Sequence, residues 1–210
     1  MRELVLPTGV AHETLAAIEL VSVPAGLCAL DALVKEAHVG LLFAGDIDPS
    51  RFLILFTGDL ASVEVGLRRA CSEAGTDVLE SLLLPHAHPL LHDALLGSLR
   101  SAAAAEAGQE AMGIVQTHTV IGTLAAVDRA LKAAEVALVR LRLATELAGQ
   151  AHAVFVGSQY DVEAALQAAQ DGAPAGVLVQ VRRIARPAPE VYGAAAQRSV
   201  GLRAIRPLDA

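Results

Sequence analysis

Three kinds of side-chain pattern in this sequence could do chemistry. The first is a histidine run, His86-x-His88-x-x-x-His92, whose imidazoles could hold a zinc ion. Asp93 is its only acidic neighbour and no cysteine lies near, so the run is read without a metal. The second is a pair of carboxylates, Asp46 and Asp48, in an acidic loop that also carries Pro49 and Ser50. Short apolar runs flank this loop, and burying its carboxylates unpaired would cost several kcal/mol each, so the loop must face water. The third is the set of hydroxyls Thr57, Ser62, Ser81 and Ser158, none of which has the elbow or the local base that activates a nucleophile. Phosphate-cradling patterns, G-x-x-x-x-G-K-[ST] and G-x-G-x-x-G, are absent from the sequence. The expectation is therefore a protein that is not an enzyme, with no catalytic residue, no bound metal and no cofactor.

Composition narrows the class. Hydrophobic residues make up 54% of the 210 residues but aromatic ones only 3%, so the core is built from Ala, Leu and Val. The net charge of −7 lacks the basic excess of a nucleic-acid surface. Mean hydropathy is high, +0.49. Yet no apolar run approaches the ~18 residues of a membrane span. Glu3, His12 and Glu13 stand where a signal peptide would be apolar, which points to the cytoplasm. A chain this apolar is expected to bury surface against other subunits. Cys28 and Cys71 lie among Leu, Ala and Val and are read as small buried hydrophobes.

The elements that position these residues come twice. Residues 18–41 lie over 115–138 at an offset of 97, so that Asp31 matches Asp128, Lys35 matches Lys132, Ala37 matches Ala134 and Val39 matches Val136. "GDLASVEVGL" (58–67) lies over "GSQYDVEAAL" (157–166) at an offset of 99, and "LLLPHAHP" (82–89) over "RRIARPAP" (182–189) at 100. Each half reads as βαββαβα. The strands are expected at Ile18–Val23, Val39–Ala44, Phe52–Thr57 and Val78–Leu84, and again at Met112–His118, Val136–Leu143, His152–Val156 and Gly176–Ile184. Leu27, Leu30, Leu33 and Val34 recur at helical spacing after the first strand. Second helices are expected at Ser62–Glu73 and Asp161–Gln170. Apolar strands with helices on one face make an α+β sandwich. The organisation is two tandem ferredoxin-like domains, 1–99 and 112–197, joined by an Ala-rich linker at 100–111 and followed by a tail at 198–210.

Three motifs occur in both halves: Asp-x-x-x-Lys before Ala and Val, a loop and strand ending in Val-Glu (46–64 and 145–163), and a Pro/Arg/His turn after the fourth strand (85–89 and 185–189). On these motifs the chain resembles the bacterial microcompartment shell proteins, in the class that fuses two such domains in one chain. The resemblance covers roughly residues 16–195. Both halves begin with the strand that opens the unpermuted domain. This is similar to the single-layer type, the class of the trimeric shell protein of propanediol-utilisation compartments.

The resemblance implies that three chains form a flat pseudohexameric trimer. Such trimers tile with other shell proteins into facets around encapsulated enzymes. The loop between the second and third strands would line a central pore for small polar metabolites. The pore residues would be Asp46, Ile47, Asp48, Pro49 and Ser50 in the first half, and Glu146, Leu147, Ala148 and Gly149 in the second. Lys35, Lys132 and Arg186 would sit at the tile edge, with His86, a weaker and pH-dependent donor, standing for Arg186 in the first half. Members of this type can carry a pore-loop cysteine that holds an iron–sulfur cluster. Here "IDPSRF" (47–52) places Asp48 at that position, so no cluster is expected. Three carboxylates ~8 Å apart in water repel by only about 0.5 kcal/mol per pair, so a ring of Asp48 can stay ionised and favour neutral or cationic metabolites over anions. His152 follows the second loop and is read without a metal. A small-ligand-binding regulatory trimer of ferredoxin-like repeats is the alternative; it would stop at three chains, whereas a tile goes on to form sheets.

Overall fold

The computed structural model of the chain describes residues 13–97, 99, 110–144 and 147–195. The described chain resolves into two compact units, and the break falls between Ala87 and His88. Most of the expected linker at 100–111 and all of the tail at 198–210 lie outside the described residues.

The first unit runs β1 (Thr14–Leu20), α1 (Val23–Glu36), β2 (Gly40–Ile47), β3 (Arg51–Gly58), α2 (Leu60–Ala74) and β4 (Val78–Leu84). The second runs α3 (Pro89–Leu95), β5 (Ala111–Thr117), α4 (Val120–Ala133), β6 (Ala137–Leu143), β7 (Ala151–Gly157), α5 (Gln159–Gly172), β8 (Leu178–Ala185) and α6 (Pro189–Ala195). Each sheet is antiparallel, in the orders β2-β3-β1-β4 and β6-β7-β5-β8.

Polar caps set where the long helices begin. Ser22 accepts from the Ala25 amide, Asp59 from Ser62, Thr119 from Gly122 and Ser158 from Asp161. Each such cap satisfies an amide that the first helical turn leaves orphaned. Ser22 also explains why the first strand ends at Leu20 instead of running to Val23: Val23 and Pro24 already belong to the helix that Ser22 caps.

On one face of the first sheet, Ala16, Ile18, Leu20, Phe52, Ile54 and Phe56 pack against Ala29, Leu33, Val63 and Ala70 of the two helices. The apolar stripe expected on α1 is only partly the inward one. Leu33 is buried, but Leu27 and Val34 are 55% and 48% exposed. Small residues, Gly26, Ala29 and Ala32, hold the inward positions with Leu33. A Cβ at Gly26 would collide with the Phe52 ring, so the helix lies too close to the sheet for a large side chain there. In the second unit, α3 packs against α4 and β6 with Leu91 fully buried. Val191, Tyr192 and Ala195 of α6 pack against Met112, Val154 and Val156.

Candidate functional site

The first loop is the tip of the β2–β3 hairpin. Ile47 pairs with Arg51, leaving Asp48, Pro49 and Ser50 at the turn. Asp46, Pro49 and Ser50 are exposed, Asp48 is half-buried and Ile47 is buried. Ser50 has φ 58°, a left-handed conformation that costs a non-glycine residue about 1–2 kcal/mol.

The second loop joins β6 to β7 and is longer. It closes on itself: the Ala144 amide donates to the Gln150 carbonyl, that of Leu147 to Ala144, and that of Gln150 to Leu147. Ala144, Ala148 and Gly149 all have positive φ. Leu147 is half-buried, Ala148 exposed and Gly149 buried, while Glu146 lies outside the described residues.

A long-range side-chain bond ties each loop to an inner strand of its own sheet. Arg51 donates to Glu19 of β1 at 2.6 Å, and the Glu19 side chain is fully buried. Gln116 of β5 donates to Gln150 at 2.5 Å. Sequence reasoning missed both bonds, because their partners are 32 and 34 residues apart.

The residues expected at the tile edge include a second, repeated constellation. Lys35 bonds Asp31 at 2.7 Å, and Lys132 bonds Asp128 at the same distance. The surroundings differ sharply. The Asp31 side chain is 61% exposed and that of Asp128 only 4%. Asp128 also accepts from the His88 amide at 2.8 Å, at the start of α3. His86 and Arg186, at the turns after β4 and β8, are both exposed. Both also adopt left-handed backbone, φ 51° and 47°. Two matching non-glycine residues in a costly conformation mark a turn shape that both halves retain.

The histidine run does not gather. His88 uses Nδ1 to accept from the Leu90 amide and so caps α3. Among the described residues, no three His, Cys, Asp or Glu stand together to hold a metal ion. The reading of both cysteines as buried needs correction. Cys28 is exposed, because it lies on the outward side of α1 with Leu27 and Asp31, and Cys71 is half-buried. Burial pushes the Cys71 thiol up, against a smaller downward pull from Ser81.

Burial lowers the pKa of His152, and Arg140 and Arg142 lower it further. Burial also lowers that of His88, with Asp128 opposing the shift and Lys132 adding to it. Unfolding lets both imidazoles take a proton near the ordinary value of 6.5, whereas the folded unit resists until lower pH. The second unit should therefore keep its full stability above about pH 6.5 and lose it progressively below. Thermal melts between about pH 7.5 and 5.5 should show this fall, and His152→Gln should flatten part of it. An unchanged slope in the variant would remove His152 from the account.

A family model described as BMC domain matches the chain twice, over residues 14–87 and 111–187. The bacterial microcompartment shell protein PduT of Citrobacter freundii is 36% identical over 171 residues, which span 81% of this chain and 90% of that protein. A solved microcompartment protein from Desulfitobacterium hafniense DCB matches with a TM-score of 0.73 at 28% identity, covering 86% of this chain and 98% of its own. The fused permuted hexameric shell protein MSM0275 from the RMM microcompartment matches with a TM-score of 0.52 at 18% identity, over 75% of this chain and 80% of its own. That last likeness shows the fold alone.

Proposed function

The chain belongs to the BMC domain family of bacterial microcompartment shell proteins, and from that premise we propose that three copies close a single-layer pseudohexagonal tile with a pore on its axis. Its role is structural, in the shell of the microcompartment, and we assign it no reaction of its own. Among the described residues, no helix is long and apolar enough to cross a membrane.

The observation that carries the ring is a contrast between repeat-related helix faces. Leu27, Asp31 and Val34 on α1 are exposed. Their counterparts on α4, Leu124, Asp128 and Leu131, are 0%, 3% and 5% exposed. One sequence motif thus has a covered copy and an uncovered one. A neighbouring chain seated on α1 would give the first copy what the second already has, and repeating that contact closes a ring. In the ring the first-half loop, with Asp46 and Asp48, lines the pore together with Leu147, Ala148 and Gly149 of the second. The pore passes small polar metabolites, neutral or cationic in preference to anionic. Lys35, Lys132, His86 and Arg186 stand at the rim, against other shell proteins edge to edge, and enzymes lie inside the shell.

Tiling is tested at Lys35, whose side chain is 72% exposed. Lys35→Asp costs the chain little beyond an i,i+4 pair of a few tenths of a kcal/mol. In the ring it also sets a second carboxylate against the covered Asp31, so it is read on material that light scattering shows to be trimeric; those trimers should form no extended sheets, since like charges then face the partner edge. Negative-stain images showing sheets of normal extent would remove Lys35 from the edge. Lys132→Asp is a poorer probe, because it sets a second carboxylate against the buried Asp128.

A further inference from the structure

The two loops are fixed by the same device made from different chemistry. Glu19 is the sixth residue of β1, and Gln116 is the sixth of β5. Arg51 opens β3, and Gln150 directly precedes β7. At the repeat offsets of 97 and 99, the pair Glu19 and Arg51 falls on the pair Gln116 and Gln150. Each bond runs from the inner strand of the sheet to the returning arm of the loop. We propose that Glu19 and Gln116 are the positioning residues of the two loops. The first loop is held by a charge pair, which also fixes where the Arg51 guanidinium stands, and the second by a neutral amide pair. The inference rests on the reading of these loops as the pore lining.

Burial makes the first pin consequential. A carboxylate withdrawn from water must be paired, and Arg51 supplies the pairing, its side chain 29% exposed against 0% for Glu19. Ser50, the residue before Arg51, is in left-handed backbone, so the bond acts next to the tightest point of the turn. While the bond stands, Arg51 adds no net charge to the loop, because Glu19 cancels it. Without Glu19, each chain has one cation more at the loop base, and a ring of three has three. Glu19 then sets the strength of the negative field at the loop as well as the loop's position, because an uncancelled Arg51 offsets one of the two carboxylates Asp46 and Asp48. The Gln116–Gln150 pair shows what a charge-free substitute looks like, and it is small enough to transplant.

The experiment uses full-length trimers and three variants: Glu19→Gln, the double variant Glu19→Gln with Arg51→Gln, and Gln116→Ala. Amide hydrogen exchange followed peptide by peptide reads the pin. Glu19→Gln keeps an acceptor but removes the counter-charge of Arg51; it should raise exchange over residues 46–51 by a few-fold to about tenfold, the scale on which a charged hydrogen bond weakens to a neutral one, and leave β1 and β4 as they were. The double variant should return exchange close to wild type, and Gln116→Ala should loosen 144–150 alone. Unchanged exchange in Glu19→Gln, or no recovery in the double variant, would overturn the proposal. If Glu19→Gln fails to fold, Gln116→Ala and the double variant decide the matter by the same criteria. The pore field is read separately, as the reversal potential of single trimers in planar bilayers under a potassium chloride gradient. Glu19→Gln should shift it toward anions, and the double variant, with no net change in charge, should not. Wild-type trimers that pass no current while the exchange pattern holds would end the pore reading and leave the pins standing.

Discussion

Chains carrying Leu27→Asp together with Val34→Asp should run as monomers at micromolar concentration, and the unaltered protein, on the proposed ring, as trimers. Leu27 and Val34 are among the most exposed large aliphatic side chains of the described residues, at 55% and 48%. Taking a side chain of this size from full exposure to full burial gains about 1.5–3 kcal/mol, and roughly half of that is left to gain at each of these half-covered positions. Each junction of the ring would bury both. Two carboxylates in their place forfeit that gain and must also be stripped of water, a penalty without a partner to offset it. The fold of the first unit should survive, because its inward face is made by Gly26, Ala29, Ala32 and Leu33. Light scattering with circular dichroism checks both halves of the statement. Trimers that persist in the double variant would place the junction elsewhere.

Asp128→Ala should destabilise the second unit by about 2–3 kcal/mol, whereas the same change at Asp31 in a monomeric chain should cost only a few tenths. Asp128 is 3% exposed and accepts from both Lys132 and the His88 amide. Removing it leaves a lysine without its counter-charge and an amide at the head of α3 without its acceptor. Asp31 bonds only its exposed lysine among the interactions described for it. Asp128→Asn, which keeps an acceptor for the His88 amide, should recover part of the loss. Urea denaturation of the three variants decides the point, and equal effects at positions 31 and 128 would refute the burial argument. If the ring forms as proposed, Asp31→Ala should become costly in the trimer and show as dissociation on dilution.

Much of the fold was legible because it was written twice. The Asp-x-x-x-Lys helices, the hairpins and the final turns recur at offsets of 97, 99 and 100, and the observed strands overlap the expected ones, with Val78–Leu84 matching at both ends and β1 displaced toward the N-terminus, to Thr14–Leu20 from the expected Ile18–Val23. Boundaries slipped where capping chemistry outweighed hydrophobicity, as at Ser22. The face of α1 was misread because periodicity gives weight to leucines, and here a glycine and two alanines make the close contact.

The sequence by itself determined the element order, the two hairpin loops, the lysines with their i−4 aspartates and the absence of a cysteine from the first of those loops. These are local properties, set by spacing, caps and residue type. Tertiary structure alone decided which of two matching aspartates is buried, since Asp31 and Asp128 share a motif and differ only in what covers them. It also decided that Glu19 meets Arg51 and Gln116 meets Gln150. Burial and long-range pairing depend on how the sheet brings distant strands together, and no window of sequence as short as a helix or a hairpin contains both partners.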